Sequence, residues 1–144
     1  MTPLALQAPP QAEPNPLIEG YASLFGVTDQ AGDQVRAGAF AEALLRAPVP
    51  MLLQHTPGAI AGRWTRLIED GRGLYVRGLV ETPSAQQLIQ DGLNGLSIGF
   101  RPQVWMPRAE GGRTLIKLDL VEISLVAEPM LAGARFQVMS GYDK

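Results

Sequence analysis

Sixteen glycines and twelve prolines punctuate this chain of 144 residues. Proline fixes φ and removes a backbone donor, and glycine favours turns, so long uninterrupted elements are disfavoured. The chain is therefore expected to fold from short elements joined by many turns, which points to a β-rich class. Its length fits one domain, and a 46% hydrophobic, 18% charged composition predicts an ordered core rather than disorder.

The same inventory excludes several functions. A net charge of −2 offers no general electrostatic basis for binding nucleic acid or an anionic membrane, and neither is expected as a partner. No apolar run approaches the roughly 18–20 residues of a membrane span. The first residues, MTPLALQAPPQAEPNP, lack the basic and apolar regions of a signal peptide. There is no cysteine, so no disulfide framework and no thiolate zinc site, a composition compatible with the cytosol. There is one histidine, His55, which rules out a multi-histidine metal centre. No cofactor and no metal are expected, and any imidazole base must be His55.

Along the chain, residues 1–16 read as a flexible proline-rich arm, residues 17–138 as the folded domain and residues 139–144 as a C-terminal tail. Strands are expected over Leu17–Phe25, Met51–His55, Ile60–Ile68, Gly73–Val80, Leu96–Arg101 and Thr114–Val126. Glu69-Asp70-Gly71-Arg72-Gly73 has the composition of a hairpin loop. Short helices are expected over Ala37–Ala47, which carries Phe40, Ala43, Leu44 and Ala47 at helical spacing, and over Pro83–Asp91, with Gly92 as its stop. A further small helix is expected within Pro129–Val138. The resulting class is mainly β with short helices. Its expected form is a small closed or partly closed antiparallel β-barrel of about six to seven strands, flanked by two or three helices. An open α+β sheet is the alternative.

Two strands carry candidate chemistry. In Asn94-Gly95-Leu96-Ser97-Ile98-Gly99-Phe100, alternation places Ser97 opposite the apolar Leu96, Ile98 and Phe100. Gly95 and Gly99 share the serine's face, which would leave its hydroxyl open to a reacting carbonyl. Small residues beneath a neighbouring element would give the same pattern. In the strand ending Leu118-Asp119-Leu120-Val121-Glu122-Ile123-Ser124-Leu125-Val126, Glu122 interrupts a mostly apolar row of Leu118, Leu120, Ser124 and Val126. A carboxylate there needs a partner, either a buried Arg or Lys or the imidazole of His55. Asp119, on the other face, is a weaker candidate. His55 itself is either a half-buried histidine satisfied by a backbone carbonyl or a general base.

An ordered series of segments adds to this. It runs Glu19-Gly20-Tyr21-Ala22-Ser23-Leu24-Phe25, Val35-Arg36-Ala37-Gly38-Ala39-Phe40, Met51-Leu52-Leu53-Gln54-His55 and Ile60-Ala61-Gly62-Arg63-Trp64. It continues with Glu69-Asp70-Gly71-Arg72-Gly73-Leu74, Leu93-Asn94-Gly95-Leu96-Ser97-Ile98-Gly99-Phe100 and Val121-Glu122-Ile123-Ser124-Leu125-Val126-Ala127-Glu128-Pro129. From about residue 17 to 135 the series resembles the prohead proteases of tailed bacteriophages, similar to the herpesvirus capsid maturation protease.

The resemblance implies a serine endopeptidase built on a small β-barrel surrounded by helices. It implies Ser97 as nucleophile, His55 as general base and acid, and Glu122 as the orienting acid, where the herpesvirus enzymes use a second histidine. Oxyanion donors would come from backbone amides around Glu128 to Ala132. The implied substrates are the scaffold, or the scaffolding segment of the major capsid protein, cleaved during prohead maturation and in some members accompanied by self-cleavage. The implied place of action is the bacterial host cytoplasm, inside the assembling prohead of a phage, a prophage or a gene transfer agent. The herpesvirus enzymes work as dimers, so a homodimer is a further expectation. The competing readings are a catalytically inactive assembly or scaffold-binding factor of the same fold, and an unrelated small barrel that binds peptides or ligands.

Overall fold

The computed structural model describes residues 15–46 and 48–139. Most of the expected arm (residues 1–14) and of the expected tail (residues 140–144) lies outside the described residues, as does Ala47.

Eight strands among the described residues form one sheet. They are β1 (Leu17–Leu24), β2 (Gln34–Val35), β3 (Pro50–Leu53), β4 (Ile60–Glu69), β5 (Gly73–Val80), β6 (Gly95–Pro107), β7 (Arg113–Val126) and β8 (Phe136–Val138). The single α-helix among the described residues is α1 (Pro83–Gln90), and a 3-10 turn covers Ala43–Leu45. Hydrogen-bonded neighbours run β2-β7-β3-β4-β5-β1-β8, with β6 also paired to β7. Residues 123–125 of β7 pair with β3 and also with β6, so β7 is sandwiched between these two strands.

The local reasons are legible. Asp70 Oδ1 accepts the N–H groups of Arg72 and Gly73 at 2.8 and 3.1 Å, which closes the expected β4–β5 hairpin. Helix α1 starts on Pro83, where no donor is needed, and is followed by Gly92 at φ +109°. One face of the sheet encloses a core that includes Ile18, Phe40, Met51, Leu74, Val76, Leu96, Leu118, Ile123 and Leu125, each at most 1% exposed.

Four expectations need correction. Among the described residues the strands number eight rather than six or seven. The sheet is not purely antiparallel, because β2 and β3 both run parallel to β7. The continuous ladder does not close. Among the described residues its ends, β6 and β8, are joined at an isolated Gly95–Arg135 bridge, where Leu96 N–H donates to Ala134 O and Phe136 N–H to Asn94 O and the Arg135 guanidinium donates to Asn94 Oδ1 at 2.8 Å.

Finally, two of the three helices are not formed. Around residue 40, Gly38 takes φ +94° and the chain forms turns and the 3-10 turn instead of a helix, anchored by Glu69, which accepts the Gly38 and Phe40 N–H groups at 2.7 and 2.9 Å. Residues 134–138 are pulled into the sheet by β1 and by the start of β6.

Candidate active site

The central position of β7 brings the candidate residues together. In register across three neighbouring strands, Leu52 of β3 pairs with Ser124 of β7, which pairs with Ser97 of β6. Gly99 pairs with Glu122, but the next pair is Phe100 with Leu120, so Val121 bulges out and is exposed. The bulge inverts the alternation. Leu118 and Ile123 thus both reach the core, and Glu122 and Ser124 fall on the face of Ser97. The expected single row from Leu118 through Leu120 to Glu122 is therefore broken at Val121.

Glu122 is 7% exposed, and a carboxylate so buried is costly without partners. It has one for each oxygen. His55 Nδ1 lies 2.5 Å from Oε2, and the Ser124 hydroxyl donates to Oε1 at 2.6 Å. The open question over its partner is settled in favour of the imidazole. A Cβ at residue 99 would stand 2.2 Å from Oε2, so the carboxylate occupies the space that Gly99 leaves empty. At residue 95 the corresponding space is taken by Val126 O and Pro129 Cδ. The two glycines thus admit neighbours instead of leaving Ser97 open, and Ser97 is 6% exposed. Asp119 is engaged elsewhere, by Arg46 at 3.1 Å and by Gln103.

His55 follows β3 on a backbone that L residues seldom adopt. Gln54 and His55 have φ of +52° and +59°, a conformation costing roughly 1–2 kcal/mol per residue. The surroundings hold it there. Gln54 N–H donates to Leu125 O, Thr56 N–H to Leu53 O, and His55 N–H to the Ser124 hydroxyl, at 2.9, 2.9 and 3.0 Å. The Gln54 side chain accepts the Ala127 N–H at 3.2 Å. A strained turn over-determined by its neighbours is a recurrent mark of functional sites. With an anionic acceptor at Nδ1, that nitrogen carries the ring proton and Nε2 is left as an acceptor.

His55 and Ser97 line one cavity of about 130 Å³, with a mostly apolar wall that includes Leu24, Val27, Phe100, Met130 and Leu131. No hydrogen bond joins Ser97 to the imidazole, whose only side-chain partner among the described residues is Glu122. The N–H groups of Glu128, Met130, Leu131 and Ala132 donate to no acceptor among the described residues. Asp33, also at the cavity, is clamped by Arg113, whose guanidinium hydrogen bond holds the Asp33 carboxyl below the usual carboxylate range. Among the described residues no cluster of three or more His, Asp or Glu is placed to hold a metal.

Comparison with known proteins agrees with the fold and with the residue series. The family model described as caudovirus prohead serine protease matches residues 4–143. The chain belongs to the caudovirus prohead serine protease family. Within it, the prohead protease of Enterobacteria phage HK97 is 39% identical over 94 residues. That match takes in 58% of this chain and spans 41% of the length of the relative.

Solved structures extend the likeness in fold. The bacteriophage T4 capsid assembly protease superposes with a TM-score of 0.61 at 15% identity, covering 83% of this chain and 92% of that one. The KSHV protease in complex with a hexapeptide phosphonate inhibitor gives 0.59 at 14% identity, covering 85% of this chain and 64% of that one. At such identities the likeness is one of fold alone.

Proposed function

We propose that this prohead protease relative is a serine endopeptidase that cleaves the scaffold, or the scaffolding segment of the major capsid protein, inside the assembling prohead. Residues 17–138 form its catalytic unit. Ser97 is the nucleophile, His55 the general base and acid, and Glu122 the orienting acid. The observation that carries this reading is the lone imidazole, bonded to a buried carboxylate through Nδ1 and sharing a cavity with a buried serine.

The chemistry follows from that arrangement. Glu122 keeps the proton on Nδ1, so Nε2 accepts the Ser97 proton as Oγ attacks the scissile carbonyl. The imidazolium formed is stabilised by the Glu122 carboxylate, then passes the proton to the leaving amine as the C–N bond breaks. Water, deprotonated by the same Nε2, hydrolyses the acyl-enzyme. The Ser97–His55 hydrogen bond, open in the free protein, forms as the substrate settles, a tightening common in such enzymes. The unpartnered amides of Met130 and Leu131, at the cavity wall, supply the oxyanion donors.

The test is intact-mass and N-terminal mass spectrometry of the cognate major capsid protein co-expressed with this chain. Cleavage by the native chain, and none by folded Ser97→Ala or His55→Ala, is the expected result. Loss of a nucleophile or base of this kind costs on the order of 10⁶ in rate. Normal processing by folded Ser97→Ala would overturn Ser97 as the nucleophile, and no processing even by the native chain would favour an inactive assembly factor.

A further inference from the structure

Ser124 is completely buried, yet its hydroxyl is neither capped by a strand partner nor idle. It donates to Glu122 Oε1 at 2.6 Å and accepts the N–H of His55 at 3.0 Å. One oxygen atom therefore touches both the acid and the backbone of the base. The first bond pins one carboxylate oxygen, which leaves Oε2 aimed at Nδ1 of the ring. The second holds residue 55 in its left-handed conformation, reached one residue beyond Gln54, which is also left-handed. A carboxylate has rotational freedom about its terminal torsion, and a turn of two left-handed residues has extended alternatives. Fixing both through one hydroxyl fixes the imidazole relative to the carboxylate.

We infer that Ser124 is a positioning residue of the catalytic centre, which sets the orientation of Glu122 and the tautomer of His55 without touching the substrate. The inference rests on the reading of Ser97, His55 and Glu122 given above. Threonine preserves the hydroxyl. Cysteine fills the space but is a weak donor, and alanine removes the group altogether. A packing role would be met by cysteine, and a positioning role only by threonine.

Two readouts decide it. The first is the rate at which a fluorophosphonate labels Ser97, followed by intact mass; Oγ attacks phosphorus, fluoride leaves, and His55 takes the proton. Ser124→Ala and Ser124→Cys are expected to slow labelling on the order of a hundredfold, with Ser124→Thr within severalfold of the native chain. The second readout is ¹⁵N NMR of the imidazole, unambiguous because the chain has one histidine. The native ring and that of Ser124→Thr should be protonated on Nδ1 when neutral. In the alanine and cysteine variants the ring should revert toward the mixture of a free imidazole. An unchanged labelling rate and tautomer in folded Ser124→Cys would overturn the inference. A native chain that is not labelled at Ser97 would instead sink the reading of the nucleophile, and the NMR comparison would still decide the role of Ser124.

Discussion

At residue 99 a single methyl group would collide with the acid of the site. The Cβ position lies 2.2 Å from Glu122 Oε2 and 2.7 Å from its Cδ, and the carboxylate cannot retreat without leaving His55. Gly99→Ala is expected to cost about 1–3 kcal/mol of stability through overpacking, and on the order of a hundredfold in cleavage rate through displacement of Glu122. Thermal unfolding together with the capsid-protein cleavage assay measures both; unaltered cleavage would show that the carboxylate has room to spare. Glu122→Gln keeps the shape, but its amide can present N–H to Nδ1 and so favour the wrong tautomer. A loss of about 10⁴ in kcat with an intact fold is expected, and full activity in the glutamine variant would remove Glu122 from the mechanism. Gly95, Ser97 and Gly99 stood out in the sequence as a small-residue face. What filled that face could not be read there, since Glu122 and Pro129 arrive from β7 and the turn beyond it.

Between elements, the cavity wall depends on one clamp. Asp33 precedes β2 and is 4% exposed, and it receives Arg113 of β7 through Nε, the terminal nitrogen and the backbone N–H, at 3.2, 2.7 and 2.9 Å. Arg108 adds a bond to Gly32 O at 2.7 Å. The hydrogen bond from Arg113 lowers the folded-state value of the Asp33 carboxyl. A depressed carboxyl contributes stability that is fully present above the unfolded value, about 4, and is lost as pH falls through the folded value. Asp33→Asn is therefore expected to cost about 2 kcal/mol near pH 7, less than a fully buried pair because Arg113 is part exposed. The gap from the native chain should narrow as the pH falls below 4, a trend that urea unfolding at a series of pH values would reveal. A gap constant across that range would remove the charge from the account. Elements were only partly legible for a related reason. The β4–β5 hairpin and α1 rest on local signals, Asp70 with Gly71 and Pro83 with Gly92, and both form as expected. In place of the helix expected near residue 40 stand turns anchored by Glu69, 29 or more residues away, a contact that no local spacing records.

Across the whole molecule, the two ends of the sheet are held together through residues 134–136, and Gly20 of β1 is what lets them approach. A Cβ there would lie 2.1 Å from Arg135 O. Gly20→Ala should push that segment off β1 and loosen its bonds to the start of β6, two residues from Ser97. Hydrogen exchange at the Leu96 and Phe136 amides is expected to speed up by at least tenfold, ahead of the amides of β4 and β5; equal protection in both variants would mean that the ends are held by other contacts. The sequence by itself determined that this is a β-rich chain of short elements, that any imidazole base is His55, and, through seven ordered segments, that it resembles the phage prohead proteases. Those conclusions rest on composition, inventory and order, all properties of the chain taken one residue after another. Only the tertiary structure decided that Glu122 is the partner of His55, that a bulge at Val121 turns it toward Ser97, and that Ser124 joins the two. These depend on register between strands separated by up to 72 residues along the chain, and a shift of one residue in that register moves every side chain to the opposite face.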